Sequence, residues 1–316
     1  MKRHLALAII LATSSVVLNS MNVYGQVADN KDTSQTNPSV VKVGVWINAI
    51  EKVDVPSQTF TIDFYIWFKY KDVEPNIEFL RGAPSRIELV TKEERENENY
   101  IEYRVKGTYI GSLNFRNFPF DEHLLQVEIE DKQKGISQLV FEPDLEESGL
   151  DPNLQVPGWE VKDFRCRVSE HVYPDENFST FAFGVTVFRS KISALFKTIF
   201  PIIIITLISL LSFSISVKNF GQRVSICVTT LMSAVAYHLA ALSGLPALGY
   251  LTLFDRIMLV IYSLFLYNLL VSVQAMRLVE AGKVEDAEKF ESKMQNLIPL
   301  VVICLFLLYV IGLGAI

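Results

Sequence analysis

Cysteine is nearly absent: Cys166, Cys227 and Cys304 are the only three in 316 residues. Two of them fall in apolar runs, which leaves Cys166 alone in the polar first half and allows no disulfide framework. Signatures of hydrolytic and metal chemistry are missing too. No Gly-x-Ser-x-Gly, no His-Glu-x-x-His and no His/Cys cluster occurs, so the chain reads as a non-enzyme with no metal site and no cofactor. Basic residues are scarce in the first half. Between Gln26 and Arg189 there are 29 acidic residues against 18 basic ones, a balance that argues against nucleic acid as a partner and enriches cations nearby.

What is present begins with "MKRHLALAIILATSSVVLNSMNVYGQ". Lys2 and Arg3, the apolar run Leu5 to Val17 and the small-residue site at Val23-Tyr24-Gly25 predict a signal peptide over residues 1–25. The apolar run is too short to cross a bilayer comfortably. Residues 26–39 are polar and read as a flexible lead-in. Export without disulfides suits a bacterial periplasm, provided the core is large enough to need no staples.

From Val40 the pattern alternates. In "TIDFYIWFKYKD", Ile62, Phe64, Ile66, Phe68 and Tyr70 share one face, and Asp63, Tyr65, Trp67 and Lys69 the other. Similar strands are predicted at Val41–Ile47, Ile101–Ile110, His123–Glu130, Trp159–Val168 and Ser179–Phe188. Residues 40–190 are therefore expected to form an extracellular, all-β, immunoglobulin-like antiparallel sandwich. One segment resists that reading. "NFRNFPFDEHLLQ" sets Phe115, Phe118 and Phe120 around a proline and follows them with Asp121 and Glu122.

After Arg189 the alternation stops. Residues 198–217, 224–254, 257–276 and 294–316 carry no Asp, Glu, Lys or Arg. Each stretch is long enough to cross a hydrocarbon core, and backbone groups in lipid must bond internally, so helices follow. Residues 191–316 are expected to form an all-α, four-helix transmembrane domain, with spans near 195–216, 222–243, 254–278 and 294–316. Lys218 and Arg223 fall in one turn, and Arg277, Lys283, Lys289 and Lys293 in another, whereas "SGLPALGYLT" has no basic residue. The positive-inside rule then puts the sandwich and the C-terminus outside.

The second span, "GQRVSICVTTLMSAVAYHLAALSG", differs from the rest. Steps of three and four along it pick out Ser225, Thr229, Met232, Ala236, Leu239 and Ser243. Hydroxyls of this kind suit a pore holding a partly hydrated ion, with the apolar ring as a dewetting gate at Met232. Close helix packing favours the same residues, and spacing alone does not separate the two. A pore of this kind needs a ring of chains around an axis.

Six motifs occur in a fixed order: "FPFD", "PGWEV", "VFRS", "TIFPIII", "GQRVSICVTTLMSAVAY" and "GLPALGYLT". Together they resemble the prokaryotic pentameric ligand-gated ion channels of the Cys-loop receptor superfamily, over about residues 40–316. Gly111 and Leu125 stand where eukaryotic members have their disulfide cysteines. The resemblance implies a homopentamer, with four identical partner subunits, in lipid of a bacterial inner membrane, its sandwich and C-terminus periplasmic. It implies an agonist, a small molecule or a proton, bound between neighbouring sandwiches, with permeant ions passing a pore lined by the second span. Phe118, Pro119, Asp121, Arg189, Pro201, Leu245 and Pro246 match the family's gating-coupling positions. Tyr65 and Tyr173 match its ligand-binding positions.

Two departures bear on those expectations. The stretch "EDKQKGIS" supplies no aromatic wall for an amine ligand, and His123, His171 and His238 titrate in a range useful to a proton sensor. The inner mouth reads Gly221-Gln222-Arg223, without the glutamate common in cation channels. The acidic exported half still favours cation conduction. The alternative is a non-conducting sensory receptor acting through a separate partner. The polar face of the second span and the bare outer linker distinguish the channel from it.

Overall fold

A computed structural model describes residues 37–312. The signal peptide expected over 1–25, and the lead-in as far as residue 36, lie outside the described residues. Ten strands come first. One sheet holds β1 (Ser39–Asp54), β2 (Thr59–Tyr70), β4 (Gly82–Glu94), β5 (Asn99–Ile110), β7 (Leu139–Pro143) and β8 (Gly149–Leu150), in the order β4-β5-β2-β1-β7 with β8 also on β1. The other holds β3 (Ile77–Phe79), β6 (Glu122–Asp131), β9 (Glu160–Val172) and β10 (Asn177–Phe188), in the order β3-β6-β10-β9. This is the expected sandwich, with one refinement. Short β7 and β8 run parallel to β1 and close its free edge.

The alternating faces of β2 explain why the two sheets pack. Ile62, Phe64, Ile66 and Phe68 are essentially sealed from solvent, and Phe64 meets Phe183 of β10 edge-on at 4.9 Å. Each such side chain contributes about 1.5–3 kcal/mol by leaving water. The outer face of β2 is less open than alternation alone implies. Trp67 is also buried, its indole lying against Gly44, where any side chain would collide, and donating to Asp144 Oδ2 at 3.3 Å. Asp63 is covered by Arg104, which grips it with two hydrogen bonds of 3.1 and 2.9 Å.

Four helices of membrane-crossing length and hydropathy follow: α1 (Lys191–Ser214), α2 (Phe220–Leu242), α3 (Leu253–Glu280) and α4 (Val284–Tyr309). They make this a multi-pass membrane protein. Helices do not stop where the apolar stretches stop. The fourth begins at Val284 and runs through a charged first turn, where Glu285 and Asp286 favour the positive end of the helix dipole. The first is not a regular α-helix. A π-turn spans Leu195–Ile199, immediately before Pro201, and a 3-10 turn closes the helix at Leu211–Ser214. Proline has no N–H to give the carbonyl four residues back and crowds it, so the helix widens there.

Candidate functional site

The aromatic loop between β5 and β6 is where the sandwich meets the helices. Phe115 and Phe118 are buried, Phe120 is partly exposed, and the Phe118–Pro119 peptide bond is cis. Backbone groups make the junction. Leu253 N–H donates to Arg116 O at 2.8 Å and Phe254 N–H to Phe118 O at 3.1 Å. Phe115 N–H donates to the Tyr250 hydroxyl at 3.0 Å, and the Phe118 ring stands edge-on to Phe254 at 6.2 Å. A capping box completes the end of α3. Asp255 N–H donates to Thr252 Oγ1, and Thr252 N–H donates to Asp255 Oδ2.

Beside the loop lies a buried charge pair in an aromatic box. Asp121 is 1% exposed. Its Oδ1 accepts from Arg189 Nε at 2.8 Å, and its Oδ2 lies 2.6 Å from His123 Nε2. Arg189 stacks over Trp159 at 4.4 Å and faces Phe118 at 5.5 Å. The His123 ring in turn touches Phe115 and Trp159. Cation–π contact and the carboxylate together compensate the desolvation of Arg189. A cavity of about 390 Å³ opens next to it, lined by Phe118, Pro119, Arg189 and Leu245 among others. Phe118, Pro119, Asp121, Arg189 and Leu245 thus gather in one place. Pro201 lies elsewhere. It sits in α1 beside the π-turn, and the Tyr237 hydroxyl of α2 lies 2.9 Å from both Lys197 O, four residues before the proline, and Thr198 O. For Pro246 the junction hydrogen bonds give no role; they run instead to Tyr250, Leu253 and Phe254.

On α2 the predicted stripe is uncovered by the rest of the chain. Ser225, Thr229, Met232, Ala236, Leu239 and Ser243 are all exposed. Arg223, Cys227, Thr230 and Ala234, on the opposite side, are buried against the other helices. Among the described residues the most open large apolar groups on this helix are Met232 at 69% and Leu239 at 67%.

Tyr65 and Tyr173 lie on different sheets. Tyr65 of β2 faces the Arg104 guanidinium at 5.5 Å. Tyr173, in the β9–β10 turn, belongs to a cluster around Glu130 that sequence reading overlooked. Glu130 is 1% exposed. It accepts from Thr180 Oγ1 at 2.6 Å and from the Tyr173 hydroxyl at 3.2 Å, and it lies 2.7 Å from His171 Nδ1. Burial first, and then the Glu130 charge, raise the Tyr173 phenol above its ordinary range. Glu130 points away from the inward series Leu125, Val127 and Ile129, so alternation marks it as solvated. Only the fold of the β9–β10 turn over it reveals otherwise.

A β-sandwich whose aromatic loop is bonded to the head of a membrane helix, joined to a four-helix domain whose second helix carries an uncovered stripe of hydroxyl and apolar groups, fits a membrane receptor or channel subunit. No family model matches the chain. It is 21% identical over 251 residues to a proton-gated ion channel of Gloeobacter violaceus, covering 71% of this chain and 69% of that protein. It is 24% identical over 288 residues to a gamma-aminobutyric acid receptor subunit beta-like of Drosophila melanogaster, covering 89% and 53%. Similarity to the gamma-aminobutyric acid receptor subunit beta-4 of Gallus gallus is 21% over 250 residues, covering 69% and 51%. The chain's match therefore spans about half the length of the two receptor subunits. Fold and relatives agree with the resemblance carried by the motifs, that to the Cys-loop ligand-gated channels, and each of these relatives is a channel or a receptor subunit.

Proposed function

We propose that this chain is one subunit of a homopentameric, effector-gated ion channel whose pore is lined by α2. The observation that carries the reading is the α2 stripe. Six positions at helical spacing are uncovered in the single chain, with hydroxyls at Ser225 and Thr229 on one end and apolar groups at Met232 and Leu239 beyond them. A face that other copies of the chain can cover around an axis accounts for both features. The basic turns at one end of the helices support a periplasmic sandwich and C-terminus, with the chain in a bacterial inner membrane.

The agonist is taken to be a proton, in keeping with the proton-gated relative. Buried carboxylates stand against histidines at Asp121–His123 and Glu130–His171, the kind of pair on which a proton can act. An alternative small-molecule agonist would be held by Tyr65 and Tyr173 facing each other across neighbouring sandwiches. In the gating step, motion of the sandwich pulls on Phe118 and Pro119 and on the Asp121–Arg189 pair. These drag the head of α3 and the linker at Leu245 and Pro246, and α2 tilts. Permeant ions are cations, drawn by the acidic sandwich.

Recording from full-length protein in planar bilayers tests this. Stepping the sandwich side from pH 7 to pH 4 should open currents whose reversal potential in a NaCl gradient follows sodium. Absence of current under acid and under candidate ligands would remove the channel reading. A reversal potential near that of chloride would remove only the cation assignment.

A further inference from the structure

Arg223 is the one arginine or lysine within α2, and it is held in an unusual place. At 100° per residue it lies about 160° around the helix from Ser225, on the back of the proposed pore face. Its side chain is 1% exposed. Nε donates to the Ser212 carbonyl at 3.1 Å, in the 3-10 turn that ends α1, and the guanidinium faces Phe213. Its ion-pair partner is Glu291 of α4, itself buried. Among the described residues no other carboxylate pairs with Arg223. Position works against this cation. It occupies the first turn of α2, where the helix dipole opposes positive charge.

We propose that Glu291 is the positioning residue that sets charge selectivity, because it keeps the Arg223 guanidinium behind α2 and so keeps that ring of positive charge off the inner mouth. The proposal rests on the reading of α2 as the pore helix. Without Glu291 a buried, unpaired guanidinium is untenable, and its long stem lets the head move to the nearest water. That water lies at the start of α2, where Asn219, Gly221 and Gln222 are exposed. All three are neutral and Lys218, just before them, is exposed and cationic, so five arginines arriving there would add to a field that is already positive. Determinants of selectivity are thus shared with a helix that does not line the pore.

The test is the reversal potential of full-length protein in planar bilayers under a NaCl gradient. Five charges at the mouth, screened by salt, should lower PNa/PCl in Glu291→Gln on the order of tenfold. Adding Arg223→Gln to Glu291→Gln should restore PNa/PCl to within about twofold of the unmodified channel, because the displaced charge is gone. An unchanged ratio in a conducting Glu291→Gln channel overturns the proposal. So does a double variant about tenfold more cation-selective than the unmodified channel, since Arg223 would then already act on the mouth. That second comparison decides the matter even if Glu291→Gln does not assemble. An unmodified protein that carries no current overturns the pore reading itself, and this inference with it.

Discussion

Asp121 is the residue on which most of the junction depends. Its two oxygens serve Arg189 and His123 separately. Asp121→Ala removes both partners at once and leaves a half-buried guanidinium against Trp159. Loss of one member of such a pair costs on the order of 3 kcal/mol. A lower unfolding temperature in detergent, together with agonist response shifted to higher concentration, is the expected result. Met232, in the middle of the uncovered stripe, is the proposed dewetting constriction. Met232→Ser should raise agonist-free ion flux from proteoliposomes; flux unchanged in protein that reaches the membrane would assign that residue to packing. Asp144 carries a prediction about acid. Burial pushes its carboxyl up, but hydrogen bonds from Lys69 and Trp67 and the nearby lysine charges outweigh this and hold it below the ordinary range. A depressed folded value means its contribution is present above about pH 4 and is lost as pH falls through that value. Thermal unfolding between pH 3 and pH 6 should therefore show less acid destabilisation in Asp144→Asn than in the unmodified chain.

Among the elements, α1 was the least legible. Its apolar run and Pro201 could be read from sequence, but the π-turn at Leu195–Ile199 is a response to that proline which periodicity does not display. Nor did periodicity disclose that Tyr237 of α2 reaches Lys197 O and Thr198 O. Tyr237→Phe should cost about 0.5–1.5 kcal/mol in unfolding and loosen α1 from α2. Faster amide exchange near Lys197 and Thr198 would reveal it, and exchange at the unmodified rate would count against this role. The strands were far more legible, because a period of two exposes the inward set directly. Ile62, Phe64, Ile66 and Phe68 are buried as alternation requires. Trp67 and Glu130 escaped, since outer faces of the sheets are covered by segments distant in sequence. The aromatic loop was singled out from its composition, yet its partners Tyr250, Leu253 and Phe254 come from the far side of α2 and could only be found in three dimensions.

For the molecule as a whole, the uncovered stripe on α2 makes a single chain incomplete. A mass measurement on detergent-purified protein should return five copies. A stable monomer would leave Met232 and Leu239 facing detergent and argue against a shared axis. Order of motifs made the architecture readable from sequence, while assembly depends on surfaces that alternation and hydropathy describe only as polar or apolar.

One property of the junction bears on how interchangeable its two halves are. The first N–H groups of α3 have no partners within the helix. Here Arg116 O and Phe118 O take those of Leu253 and Phe254, and Thr252 Oγ1 takes that of Asp255. In effect the sandwich serves as the cap of a membrane helix, and it does so with main-chain atoms. Any loop that holds its carbonyls in the same place can substitute, whatever its side chains. Grafting a foreign sandwich onto these helices should thus succeed or fail on the shape of residues 115–118, and a membrane domain expressed without any sandwich should fray at the head of α3.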